Sequence, residues 1–411
     1  MGTIEKDKQL NNDFFDDITM LQTDDLIVTS EVSPYYWHDE PEIDIIDEQL
    51  QEEHIKNHYT LVDLFCGAGG LSKGFEMTNR IQPILGVDIF RPAMETYRKN
   101  NPYTHTILGD MRKISEETLR SITSNSPVNI IAAGVPCQGF SLSNRNRVAN
   151  DVRNFLFLEV IRAVNELNPD IVVIENVSGM RSLENGQFIE IISDTLAKAG
   201  TEEGYHVEHG FLNAADFGVP QIRKRLFFVA VKKRIGKFVF PVGEYGPNKE
   251  KPYNTVRDAI GDLPQLKSGE SARRYRKVKL TDYQVLMRGN QKELYNHTAP
   301  NHPQETILRI GSTKPGEPMY PKYRQRIRLS WDIQSPTQLA GGIRPQFQFG
   351  HPGSPRGLSV RERARLQSFP DDYMFMGGTV QGRVQTGNAV PPLLAKGLAM
   401  NIVKLLDDYY A

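Results

Sequence analysis

Along the chain, the first regular alternation of apolar and polar positions begins at Tyr59. YTLVDLF, ILGVDI, THTILGD, VNIIAAGV, DIVVIENV and RLFFVAV are short apolar runs bounded by Gly, Asn, Asp or basic residues, which predicts strands. Between them LSKGFEMTN, RPAMETYRKN, ISEETLRSIT, NFLFLEVIRAVNELN and FIEIISDTLAKAG space their apolar residues three and four apart, which predicts helices. Strands alternating with helices imply a mostly parallel sheet covered on both faces, a doubly wound α/β domain. From about residue 237 to 345 the alternation fails, and Pro, Gly, Tyr, Arg and Lys dominate. Helical spacing returns in LSVRERARLQSF and PPLLAKGLAMNIVKLLDDYY. The predicted organisation is a weakly patterned extension (1–57), a large α/β domain (58–250), a smaller irregular domain (251–350) and a return to the large domain (351–411).

Composition adds little until charge is divided by region. The net charge of −1 hides 16 Asp/Glu against 3 Lys/Arg in residues 1–60, which leaves the remainder at about +12. Residues 261–344 hold 15 basic and 7 acidic side chains, the balance expected of a nucleic-acid surface. No apolar run has the length of a membrane span, and the acidic start lacks the basic and apolar segments of a secretory signal. Two cysteines cannot build a disulfide framework, so a reducing, cytoplasmic setting is expected.

Candidate chemistry collects at the predicted strand ends. DLFCGAGG turns the first strand into the first helix. There Gly67, Gly69 and Gly70 let backbone amides approach a ligand. Asp88 closes the next strand about 20 residues on, the spacing of an acid that bonds ribose hydroxyls. Ser72 stands where a dinucleotide fingerprint wants its third glycine, so a nucleoside ligand without pyrophosphate fits better. Cys66 is expected to be a small buried side chain. In GVPCQGFS, Pro136 fixes its own φ and keeps Val135 extended, which directs Cys137 out of the sheet at a carboxyl edge. Glu175 and Asn176 end the next strand with polar residues, and Arg223 and Arg225 alternate before the last apolar run. Thiol, carboxyl and guanidinium at one rim suit conjugate addition to a heteroaromatic ring.

In order, DLFCGAGG, PCQGFS, ENV, QIRKR, RERARLQSFPDDY and GNAVPP resemble the motifs of the DNA (cytosine-5)-methyltransferase family, over roughly residues 59–235 and 355–411. The resemblance implies a Rossmann-like domain dependent on S-adenosyl-L-methionine, with S-adenosyl-L-homocysteine as product, and a small target-recognition domain. It implies Cys137 as the nucleophile at carbon 6 of an extruded cytosine and Glu175 at ring nitrogen 3. Arg223 would contact the base, Arg225 shape the site, and Asn176 orient the Cys137 loop. Phe65, Gly67, Gly69, Gly70, Leu71, Met111 and Pro136 would line the cofactor, with Asp88 on the ribose, Asp110 on the adenine amino group and Asn388 in the segment that closes the pocket. Asp88 replaces the commoner glutamate, and Ile89 stands where some relatives carry tryptophan, so its adenine contact would be aliphatic.

By the same resemblance, residues 138–154, with Ser141, Ser143, Arg145, Arg147 and Arg153, would cover the DNA. The insertion would read a short sequence containing G·C pairs, with His297 and His302 touching solvent or phosphate and Trp331 either in contact or in the core. No metal is required. Double-stranded DNA is the expected partner, the protein a monomer, and a cognate restriction endonuclease its functional counterpart. A tRNA cytosine-5 methyltransferase and an inactive DNA-binding relative are the rival readings. The basic insertion speaks against the first, and intact PCQ, ENV and QIRKR against the second.

Overall fold

The computed structural model describes residues 43–46, 58–123, 127–135, 156–177, 187–201, 203–340 and 348–411, all within the unit Glu40–Ala411. Its strands are β1 (Asp44–Ile46), β2 (Tyr59–Leu64), β3 (Ile81–Asp88), β4 (His105–Leu108), β5 (Ile130–Gly134), β6 (Ile171–Val177), β7 (Tyr205–Asn213) and β8 (Lys224–Lys232). They form one sheet in the order β1-β4-β3-β2-β5-β6-β8-β7. From β4 to β6 the pairing is parallel. At one edge β1 runs antiparallel to β4, and at the other β8 runs antiparallel to both β6 and β7. All six predicted strands are present, but RLFFVAV is antiparallel rather than parallel. The short β1 comes from the segment read as an unpatterned extension.

Side-chain alternation divides the core into two layers. Leu61, Ile130, Ile171, Val173, Phe227 and Val229 face one cluster, while Val62, Ile131, Val172, Ile174, Phe228 and Ala230 face the other. That is the period-two pattern of strands buried on both sides. The first layer is closed by α1 (Gly70–Glu76) and the second by α3 (Glu116–Thr123), α4 (Leu156–Leu167) and α5 (Gln187–Lys198), with α2 (Arg91–Asn100) lying beside α1. Each Leu, Ile, Val or Phe so buried contributes roughly 1.5–3 kcal/mol.

Residues after 250 are less irregular than their composition suggests. They hold α6 (Val256–Ile260), α7 (Asp282–Arg288), α8 (Gln304–Ser312) and a two-stranded pair, β9 (Ile327–Arg328) with β10 (Phe349–Gly350). Thr255 with Asp258 and Thr281 with Gln284 close capping boxes on α6 and α7, satisfying amides that such short helices would leave bare. Their apolar cluster draws in Leu358 and Leu366 from beyond residue 350. Leu366 ends α9 (Val360–Leu366). The chain then passes through α10 (Thr379–Asn388) to α11 (Pro392–Tyr410), whose apolar stripe (Leu394, Leu398, Ile402, Leu406) returns to the first layer of the sheet core. α10 and α11 are together long and apolar enough to cross a membrane, but most of that stretch is buried within the fold.

Candidate active site

The strand order reverses between β2 and β5, so their carboxyl ends diverge at the point where open α/β sheets bind ligands. Register fixes what meets there. Leu64 of β2 pairs with Ala133 of β5, Gly134 of β5 with Glu175 of β6, and Val177 of β6 with Arg225 of β8. Three strand spacings separate the glycine turn from Arg225, about 14 Å. Cys137 and Pro136 lie outside the described residues, as does the expected DNA-covering segment 138–154. The described chain stops at Val135, just past the end of β5 and two residues before Cys137.

The glycines of the first turn act differently from one another. Phe65 and Gly67 adopt positive φ (55° and 54°), and among the described residues no heavy atom comes within 4 Å of where a Gly67 side chain would begin. A ligand can therefore approach that backbone. Gly69 and Gly70 face protein instead. A side chain on Gly69 would strike the Tyr373 hydroxyl at 2.5 Å, and one on Gly70 the Val390 carbonyl at 2.2 Å. Behind the turn, the Ser72 hydroxyl donates to Asp63 at 2.6 Å and lies 2.8 Å from the Tyr97 hydroxyl. Burial pushes the Asp63 carboxyl up to about 7 and raises the Cys66 thiol well above its usual range. Cys66 packs with Met94, Tyr97 and Leu108, the buried role expected for it.

Beside the turn, the Asp88 carboxylate accepts from the Gly67 and Phe90 amides, each at 2.7 Å. Burial raises this carboxyl, and those amides oppose the shift. Phe65, Asp88 and Ile89 are half-buried, whereas Leu71 and Met111 are core side chains that belong to the two apolar layers. Asp110 accepts from the Arg112 amide at 3.0 Å and from its guanidinium. Burial would raise its carboxyl, but these bonds hold it below the usual range. Asn388 is exposed, and its carbonyl accepts weakly from Arg223 at 3.5 Å.

At the other end, Arg225 Nε lies 2.7 Å from Glu175 Oε1, both groups about 90 % buried. Antiparallel pairing of β6 and β8 puts these residues on one face, two positions apart across the register. Asn176 points to the opposite face, so it does not join the pair. The two arginines differ from expectation. Arg223, expected on the base, is almost fully buried and donates to the carbonyls of Gln338 (2.9 Å) and Gly387 (3.0 Å). Burial and the neighbouring Arg225 charge lower its affinity for a proton. Arg225, expected only to shape the site, is the one that meets Glu175.

Several residues that hold the rim escaped the sequence reading. Gln221 bonds Gln338, Gln367 and the Leu366 carbonyl, Gln367 bonds the Thr386 carbonyl, and Tyr373 donates to the Ala68 carbonyl. They occur in QIRKR and RERARLQSFPDDY, but buried glutamines have no periodicity to betray them. His297 and His302, expected at solvent or phosphate, are buried. His297 bonds Ser359 and the Pro264 carbonyl, and His302 accepts from the Gly357 amide. Trp331 packs edge-on against His351 at 5.4 Å. Among the described residues no three His, Cys, Asp or Glu side chains cluster as metal ligands would.

A family model described as C-5 cytosine-specific DNA methylase matches residues 59–404. The chain is 34% identical to Type II methyltransferase M1.HphI of Haemophilus parahaemolyticus, over 84% of this chain and 87% of that one. It is 35% identical to M.DdeI of Desulfomicrobium norvegicum, over 85% and 91%. A solved E. coli prophage protein, titled a putative DNA modification methyltransferase, superposes with a TM-score of 0.71 at 27% identity, over 85% of this chain and 99% of that one.

Proposed function

The chain belongs to the C-5 cytosine-specific DNA methylases of the restriction-modification type, and from that premise we propose how its own residues carry out the transfer and what it is for. S-adenosyl-L-methionine supplies an electrophilic methyl group. Gly67, Phe65, Asp88, Ile89 and Asp110 would hold it, a fit supported by the open space at Gly67 and the half-buried acid beside it.

Carbon 5 of cytosine is a poor nucleophile. The Cys137 thiolate adds to carbon 6, and the ring electrons move so that carbon 5 becomes an enamine carbon able to take the methyl group. A base then removes the carbon 5 proton, the carbon 6–sulfur bond breaks, and the thiolate is restored. Glu175 bonds the cytosine edge at nitrogen 3, sharing a proton there as the ring accepts the thiolate. Arg225 holds Glu175 in place and offers its guanidinium to the base, while Arg223 fixes the rim. Because a stacked base hides carbon 6, the cytosine must leave the duplex. The modified sequence would then be spared by a partner endonuclease.

The observation that carries this reading is the Glu175–Arg225 pair at the carboxyl edge, directly beside the strand that leads to Cys137. Incubation with cofactor and duplexes containing 5-fluorocytosine tests it, since fluorine blocks the final elimination. A covalent complex is expected with the natural chain and none with Cys137→Ala. If no duplex is trapped, or if only tRNA is, the reading fails. Bisulfite sequencing of DNA from expressing cells would identify the modified base and its context.

A further inference from the structure

Away from the catalytic edge, a second concave surface lies in the region after residue 250. A cleft of about 590 Å³ is walled by Arg273, Arg274, Arg276, Lys277, Arg288 and Lys292 around Tyr275, with Glu293 as its acidic member. Its floor is fixed from two directions. Residues 271–274 pair antiparallel with 293–298 through Ser271–Thr298 and Arg274–Glu293 bridges, and the Leu294 amide donates to the Arg273 carbonyl at 2.9 Å. The Tyr275 hydroxyl donates to Asp371 at 2.6 Å, the carboxylate that also receives the Arg365 guanidinium. The Arg288 guanidinium carbon lies over the Tyr275 ring, 3.9 Å from its centre. The cations therefore stand on backbone that is already ordered.

Elsewhere in this region arginines have internal work. Arg257 pairs with Asp332, Arg309 with Glu305, and Arg328 donates to the carbonyls of Ile310, Gly311 and Thr313. Among the described residues, no carboxylate forms an ion pair with any of the six cleft cations. Like charges gathered without ion-paired partners repel one another, and among the described residues of the cleft wall Glu293 is the single carboxylate set against six cations. A polyanion would offset that repulsion.

We propose that this cleft receives the sugar–phosphate backbone of the DNA duplex, at a site separate from the edge where the target base reacts. The assignment rests on the DNA methylase reading. A concave basic wall suits the convex ridge of phosphates, whereas reading base edges needs side chains that project into a groove. The contact is thus sequence-independent, and it positions the duplex.

The test uses the full chain with Arg273→Gln, Arg276→Gln and Lys277→Gln combined, three exposed positions at which thermal melting should not change. Duplex affinity is measured by anisotropy between 50 and 200 mM salt, on a modified duplex and on an unrelated one. Each phosphate that is no longer neutralised lowers the slope of log affinity against log salt by about 0.9, so the variant's slope should fall by about 2.7 on both duplexes. An unchanged slope overturns the proposal, and so does a fall confined to the modified duplex. If the slope holds while the variant binds polyglutamate more weakly, the cleft takes an acidic protein and the DNA assignment is overturned. The 5-fluorocytosine trap on the natural chain keeps the two readings apart. A chain that traps DNA but shows no slope change loses only the cleft assignment, whereas a chain that traps nothing loses the catalytic reading itself.

Discussion

Helices α9 and α11 are both packed into the molecule, by opposite means. α11 spans 19 residues and buries aliphatic side chains along one stripe, leaving its other face to solvent. α9 spans seven residues and buries all of them, including Arg361, Glu362, Arg363 and Arg365. Each of these charges has dedicated partners. Arg356 meets Glu362 through two bonds (2.8 and 2.7 Å), and Arg365 meets Asp371 through two (2.5 and 2.6 Å). Arg361 donates to the carbonyls of Tyr295, Pro370 and Tyr373, and Arg363 to Thr386 and the Leu339 carbonyl. Apolar burial is strong but indifferent to small rotations. Paired charges gain little net stability, yet they specify position, because a misplaced charge is left unsatisfied. α11 holds the sheet together. α9 fixes where the small region, the glycine turn and the GNAVPP segment stand.

The contrast is open to attack by substitution. Arg365→Ala leaves Asp262 buried without its guanidinium and Asp371 with only that of Arg361, 3.6 Å away, and should cost about 3–5 kcal/mol by urea unfolding. A cost below about 1 kcal/mol would dissolve the distinction. Leu398→Ala in α11 removes a fully buried side chain and should cost about 2–4 kcal/mol, with methyl transfer at saturating cofactor retained. Acid should find the charged region first. His302 and His351 are buried neutral, their pKa values lowered by burial from 6.5 to about 4. As pH falls from about 6.5 to about 4 the unfolded chain gains protons that the folded chain refuses, so stability drops, by up to about 3 kcal/mol per histidine. Below that window Glu362 and Asp371 add a further loss, because the Arg356 and Arg365 guanidinium groups outweigh burial and hold them low. Trp331 fluorescence, read in a Trp37→Phe background, should report the transition ahead of the far-ultraviolet signal of the sheet domain. Smallest of all, Arg80→Ala removes a half-exposed pair with Asp407 of α11 and should cost under about 1 kcal/mol, vanishing in high salt.

Legibility in the sequence followed the same divide. Strands and helices of the large domain announced themselves because their burial is apolar and periodic: IVVI and LFFVAV can hardly be anything else. β7 was missed because YHVEHGFLN lies at a sheet edge with most of its side chains half-buried or exposed. α10 was missed because TVQGRVQTGN carries two glycines and no clear apolar stripe. In the small region, helix ends are set by capping boxes rather than by apolar rhythm. At the site, residue types and order pointed to Glu175 and Arg225, but the division of labour between Arg223 and Arg225 depends on register with β6, which no local pattern encodes. The burial of RERARL was invisible for a plainer reason. Alternating charges at helical spacing describe a solvated face equally well.

One hydrogen bond has a consequence for how the protein is made. The Tyr373 hydroxyl supports the glycine turn at Ala68 from 305 residues away, and Gly74 is moulded against the Pro392 carbonyl and Ala395. A nascent chain emerging from the ribosome therefore carries its first turn long before the pieces that brace it exist. Affinity for the methyl donor should arise only once residues near 395 have left the exit tunnel and docked on that turn.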